Sequence, residues 1–94
     1  MLRDDVLLRA IERMAEAIGA FLRGETSADE LEAEVQATTG LPLGVIDVLP
    51  ASAIVPPVDD VRVRREKAMA IADALEALGR GEKADSLRAV AATW

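Results

Sequence analysis

An all-α fold is predicted by three features of this sequence. Apolar residues recur at the spacing of helical turns in four segments, near 4–23, 27–39, 58–78 and 82–93. Glycines follow three of these segments, where helices commonly end. Aromatic residues make up only 2% of the chain, which argues against a β-sandwich or barrel. The 94 residues are expected to form one domain over 1–94, since independent cores are usually built from about 50 to 200 residues.

The first predicted helix, near 4–23, has the widest apolar face. Its central stripe consists of Leu7, Ile11, Met14, Ile18 and Phe21. On the charged side, Arg13 and Glu16 are spaced to form an ion pair one turn apart. Gly19, inside the helix, is expected to mark a close approach of another helix backbone. Because the apolar arc covers roughly half the circumference, this helix should contact two neighbours, or one neighbour and a second copy of the chain.

The second predicted helix, near 27–39, begins with the capping box Ser27–Glu30 and has a thin apolar stripe of Leu31, Val35 and Thr38. Four acidic residues lie along it with no basic residue among them: Asp29, Glu30, Glu32 and Glu34. These acids are either a solvated face or a docking face for a basic partner.

Residues 41–57 hold all four prolines together with eight large aliphatic residues. The prolines exclude a long helix, yet the segment is too apolar for a solvated linker. We expect short helical turns near 43–49 and 51–54 that plug one end of the helix bundle. Asp47, the only charge in this segment, should face solvent or cap a turn, with an acid lining a pocket as the alternative.

Two further helices, near 58–78 and 82–93, are joined by a short turn at Gly79–Gly81, so they should form an antiparallel αα-hairpin. The first of them should begin at Pro57–Asp60 and bury a face formed by Val61, Ala68, Ile71, Ala72, Leu75 and Leu78. Arg64 falls in the middle of this face. It is expected to extend its charge to the rim of the core, or to pair with the acids of the second helix within or between chains.

Residues 65–94 resemble a single tetratricopeptide repeat. The matching positions are Ala68, Ile71, Ala72, Leu75, Gly79, Ala84 and Ala91. Arg88 stands where that family has a large aromatic residue. The resemblance implies a tetratricopeptide-like helical hairpin at the C-terminal end of a compact four-helix arrangement.

The opening residues Asp4–Met14 are similar to the start of a family of small uncharacterised bacterial all-helical proteins. That family has no assigned activity. The resemblance therefore implies a helical bacterial protein that works through contacts.

Composition argues against several functions. The chain has no His, Cys or Tyr, so an enzyme would lack the commonest general base and metal ligand, and we expect no enzymatic activity, cofactor or metal. The net charge of −6 disfavours binding to nucleic acid or to an anionic membrane. No signal peptide or membrane-spanning run is recognised, so a cytoplasmic location is expected.

The leading functional hypothesis is a small protein–protein interaction module, an adaptor or regulatory subunit that forms a homodimer. Its interface would use the stripe of the first helix together with Arg64. One alternative is an acidic neutralising partner of a basic protein, of the antitoxin or immunity type, acting through the acids of the second helix. Another is a helical bundle that binds a small molecule, with residues 41–57 as its lid.

Overall fold

The computed structural model describes residues 2–55 and 60–94, with side chains described from Arg9 onward. The helices are α1 (Leu2–Leu22), α2 (Ala28–Thr39), α3 (Leu43–Val48), α4 (Val61–Ala77) and α5 (Gly81–Ala91), with a 3₁₀ turn at Ala51–Ala53. No strand occurs in these described ranges, so the all-α prediction is confirmed. None of the described helices is both long and apolar enough to cross a membrane.

Local capping signals account for the ends of α2. The Ser27 hydroxyl accepts a hydrogen bond from the amide of Glu30 at 3.3 Å, which places Ser27 at the N-cap. At the other end, Gly40 adopts the left-handed conformation (φ 74°), and its amide donates to the carbonyl of Gln36 at 2.7 Å. Both ends of this helix therefore lie where the sequence predicted them.

The start of α4 differs from its prediction. Asp60 is the N-cap, and its carboxylate accepts a hydrogen bond from the amide of Arg62 at 2.9 Å, so the helix begins at Val61. The residues at which the start had been expected, 57–59, lie outside the described residues.

Two helices of the same chain flank α1. It packs on α2, with which it forms a hairpin, and on α4, whose C-terminal turns lie beside its own. This confirms that the wide apolar face of α1 needs two neighbours, and both are supplied within the chain. The radius of gyration of 12.4 Å equals the value of about 12 Å expected for a compact chain of this length.

The core lies where α1, α2, α4 and α5 meet. Its largest fully buried side chains are Met14, Leu31, Val35, Ile46, Ile54, Ile71, Leu75 and Leu87. Alanines of α4 and α5 fill the spaces between the helices, namely Ala68, Ala72, Ala74, Ala84 and Ala91. Such small side chains allow the two helices to approach closely.

The buried end of α2 corrects one expectation. Thr39, rather than Thr38, is buried there. Its hydroxyl donates to the carbonyl of Val35 at 2.8 Å and accepts from the amide of Leu41 at 3.1 Å. These hydrogen bonds satisfy the hydroxyl and make its burial acceptable.

The proline-rich segment contributes to the core, as the plug prediction required. It forms the two expected short turns, α3 and Ala51–Ala53, and both Ile46 and Ile54 are completely buried. The segment contacts α2 and α5 and therefore does not serve as the main cover of α1. Exposed Asp47, expected to face solvent or cap a turn, forms an ion pair with Arg80 at 3.3 Å that ties α3 to the turn before α5.

The buried face of α4 is wider than predicted. Val61, assigned to that face, is 48% exposed, whereas Val63 and Lys67 are buried. The reason is that α4 packs against α1 on one side and α5 on the other, so two separate strips of its surface are covered. The apolar pattern of the sequence predicted one buried face and therefore missed Val63 and Lys67.

The expectation for Gly19 was wrong. A Cβ atom built at this position would lie 3.1 Å from Nη1 of Arg23, one turn further along the same helix. Among the described residues, no atom of another helix comes within 4 Å of that Cβ. Gly19 therefore does not mark a close approach between helices.

Arg88 joins the two helices of the αα-hairpin. Its guanidinium lies 2.7 Å from Oδ1 of Asp73 and 2.8 Å from Oε1 of Glu76, both in α4. Hydrogen bonds to Glu76 and Asp73 raise the pKa of Arg88 further above its ordinary value, so it stays charged at every accessible pH. At this position the chain uses ion pairs where a tetratricopeptide repeat has an aromatic residue, and that resemblance stays a prediction.

Candidate interaction surfaces

An open groove with a mainly apolar lining runs between α1 and α2, with a volume of about 490 Å³. We call it the α1–α2 groove. It is lined by Arg13, Glu16, Ala17, Ala20, Thr26, Glu30, Leu31, Ala33 and Glu34. Three of the lining residues are alanines, whose small side chains leave space between the two helices.

The floor of the α1–α2 groove is apolar and its rim is charged. Half-buried Ala17 and Ala20 come from α1, and buried Leu31 comes from α2, with exposed Ala33 at the edge of the lining. Glu16 and Glu30 are exposed at the rim. A surface of this kind can seat a chain segment by apolar contact and select it by charge.

An ion pair crosses the α1–α2 groove. Nη2 of Arg13 lies 3.0 Å from Oε1 of Glu34. The sequence had paired Arg13 with Glu16 in its own helix, but α2 lies beside α1 and provides a closer carboxylate. The Arg13 side chain is 68% exposed and that of Glu34 is 27% exposed, so the pair contributes at most about 1 kcal/mol to stability.

The four predicted docking acids do not form one face. Since successive helical residues are about 100° apart, Glu30 and Glu34 lie within about 40° of each other, whereas Glu32 lies about 160° from both. Asp29 lies about 60° from Glu32. Only Glu30 and Glu34 line the α1–α2 groove, and Asp29 and Glu32 face away from it. The angular separation of these acids follows from helical spacing alone, so the sequence was sufficient to show that they do not share one face.

A second groove lies between the C-terminal ends of α1 and α4, and we call it the α1–α4 groove. It has a volume of about 500 Å³ and is lined by Ile18, Leu22, Asp73, Glu76 and Ala77. Leu22 is a large apolar residue, yet it is 70% exposed. The helix ends at this residue, so its side chain projects beyond the cover that α4 provides.

The predicted interface stripe is divided by the folding of the chain. Met14 is 0% exposed and belongs to the core, so a second chain cannot contact it in the folded domain. Ile11, Ile18 and Phe21 are half-buried. The side chain of Leu7 lies outside the described residues.

Arg64, in α4, lies against Trp94, which follows the C-terminal end of α5. It does not pair with the acids of α2, all of which lie in the described part of the chain. Its guanidinium carbon is 4.1 Å from the centre of the Trp94 ring, the geometry of a cation–π contact. Its Nε atom is buried and finds no hydrogen-bond partner among the described residues. In the described structure, Arg64 is therefore half-buried against Trp94 and is not a free interface cation.

A third cleft, of about 690 Å³, lies beside the turn between α4 and α5. Its cations are already engaged. Arg80 pairs with Asp47, and Nζ of Lys83 donates to the carbonyl of Leu49 at 2.6 Å. These two contacts therefore hold the proline-rich segment against the αα-hairpin.

Within the described residues, no three acidic side chains are grouped so that they could hold a metal ion. No protein-family model, curated protein or solved structure matches this chain. The two family resemblances remain predictions, and the surfaces themselves provide the basis for a functional proposal.

Proposed function

We propose that the protein is a small helical protein–protein interaction module and that the α1–α2 groove is its contact surface. The observation that supports the proposal is the combination of an apolar floor, open to solvent, with a rim of carboxylates. The floor offers apolar area to a partner, and the rim would exclude partners of the wrong charge.

A groove-filling substitution tests this proposal. Ala33 is exposed within the α1–α2 groove, so Ala33→Gln adds bulk to the contact surface without disturbing the core. The matched control is Ala89→Gln, on exposed surface of α5. Both changes introduce the same neutral residue, a good helix former, at a helical position.

The measurement is capture of proteins from an extract of the source cells, followed by direct binding of each captured protein after purification. We expect a purified partner to bind the parent and the Ala89→Gln variant equally and to bind Ala33→Gln at least about tenfold more weakly. Equal binding of every captured protein to all three forms would remove the α1–α2 groove as the contact surface.

The proposal includes a homodimer, formed through the α1–α4 groove. Leu22 and Ile18 place apolar surface there, and a two-fold related copy is the commonest way to cover such a surface. The partner-binding α1–α2 groove lies on the opposite flank of α1 and would stay open in this dimer.

Light scattering coupled to gel filtration tests the dimer. The expected mass is twice the 10.0 kDa of the chain, and Leu22→Asp should reduce it to that of one chain. Val48→Asp, which places the same charge on an 81% exposed residue of α3, should leave the dimer intact. A parent mass of 10.0 kDa at micromolar concentration would exclude the homodimer.

A further inference from the structure

The small side chains that line the α1–α2 groove would allow a helix to pack there. The groove lies beside residues 13–20 of α1 and 30–34 of α2, and its lining includes Ala17, Ala20 and Ala33. Small residues allow a third helix to approach closely, and laying an amphipathic helix into a groove is a common mode of peptide recognition. The occupant would thereby extend the α1–α2 hairpin by one helix.

The charges of the groove select a basic occupant. Three carboxylates and one guanidinium lie on its rim, and the Arg13 guanidinium is already paired with Glu34. Residues 1–57, which include both helices of the groove, have four basic and ten acidic residues, a net charge of −6. An acidic segment would be repelled at this surface, whereas a segment with Lys or Arg on both flanks would meet Glu16 and Glu30.

Arg13 occupies part of the space that the occupant would need. It lines the groove and crosses it to reach Glu34, yet its side chain is 68% exposed and free to swing into solvent. A cation from the occupant could take its place on Glu34, which would keep this partly buried carboxylate paired. An exposed ion pair contributes little to folding, so its exchange would not disturb the domain.

We propose that the α1–α2 groove binds a basic amphipathic helix of a partner protein, one cation of which replaces Arg13 on Glu34. This inference rests on the proposed function and specifies the chemistry of the partner segment. The inference differs from a general attraction between opposite charges. It assigns binding to Glu30 and Glu34, which line the groove, and not to Asp29 and Glu32 on other sides of the same helix.

The probe is a synthetic helical peptide of about 18 residues, long enough to span the groove at about 1.5 Å per residue. Its apolar face consists of Ala and Leu and its polar face of Lys and Arg. A second peptide has Gln in place of every Lys and Arg. Binding is measured by fluorescence anisotropy, at low and at physiological ionic strength.

Two double variants make the test specific to the α1–α2 groove. Glu30→Gln with Glu34→Gln removes two acids from the rim, and Asp29→Asn with Glu32→Gln removes two acids from the far sides of α2. Both variants change the net charge equally. We expect the first to weaken binding of the basic peptide by about tenfold or more, and the second by less than about threefold.

Arg13→Gln provides an independent signature. Because it removes the residue that competes for Glu34, it should tighten binding of the basic peptide. Arg23→Gln, the same charge change at an exposed residue just after α1, should tighten it less. Circular dichroism of each variant establishes that the fold is retained.

The outcomes separate this inference from the proposed function. Equal weakening by both double variants would overturn it, because net charge alone would then explain the attraction. Equal binding of the Gln peptide would also overturn it, while leaving the groove as a contact surface. If neither peptide binds, the basic-helix assignment falls, and the Ala33→Gln experiment decides the proposed function separately.

Discussion

The guanidinium carbon of Arg64 lies 4.1 Å from the centre of the Trp94 ring, so the residues after α5 are held against the N-terminal half of α4. The neighbouring Arg65 supports this contact. Its guanidinium donates to the carbonyl of Ala91 at 3.4 Å and to the carbonyl of Trp94. Two consecutive arginines of α4 thus fasten the end of α5 through different chemistry, one on a ring face and the other on backbone carbonyls.

Removing the charge of Arg64 should loosen this contact. We expect Arg64→Gln to lower the free energy of unfolding by about 1 kcal/mol, the usual size of a cation–π contact at a partly exposed site. Trp94 is the only tryptophan, so its fluorescence reports the local change, and urea denaturation reports stability. Arg62→Gln, on exposed surface of the same helix, is the control. Equal effects of the two substitutions would argue against a specific contact with Trp94.

Met14 should be more important to stability than Ile18. Met14 is completely buried, and truncation of such a side chain typically costs about 2–5 kcal/mol. Ile18 is half-buried, and Ile18→Ala should cost less than Met14→Ala. Urea denaturation of the two variants provides the comparison. A larger loss at Ile18 would show that Ile18, rather than Met14, lies at the centre of the buried face.

Gly19→Ala should stabilise the protein by up to about 1 kcal/mol. The gain comes from helix propensity, since Ala restricts the unfolded chain and suits the helix interior better than Gly. The only described contact of the added methyl group is the mobile end of Arg23, which can move aside. The control is Gly40→Ala, which should destabilise because Gly40 has φ 74°. A lower melting temperature for Gly19→Ala would indicate an undetected close contact.

Lys67 should make stability depend on pH in the alkaline range. Burial lowers the pKa of Lys67 below its ordinary value of 10.5. Between the folded and unfolded pKa values the unfolded chain binds more protons, so stability of the parent rises with pH in that window. At pH 7 the ammonium of Lys67 is charged in both states, so the folded chain bears the full free-energy cost of its partial desolvation.

We therefore expect Lys67→Met to raise the free energy of unfolding at neutral pH, with a gain that shrinks as the pH approaches about 10. Lys83→Met is the control and should lower stability, because Nζ of Lys83 donates to the carbonyl of Leu49. Urea denaturation at both pH values measures each effect. A gain at Lys67 that does not change with pH would exclude the charge as its cause.

Local patterns were sufficient to predict the long helices and both ends of α2. The capping box at Ser27, the left-handed Gly40 and the two short turns of the proline-rich segment all depend on interactions within a few residues. Such signals can be recognised without knowledge of the fold, because a cap or a turn is satisfied by its immediate neighbours along the chain.

Contacts between helices could not be predicted from these local patterns. Arg13 pairs with Glu34, and Lys67 is buried, because α1 and α4 each lie between two neighbours. The α1–α2 groove likewise depends on how two separate helices come together. A stripe of apolar residues shows that a helix has a buried face, but the packing of distant segments selects its neighbours and therefore the surface that is left open.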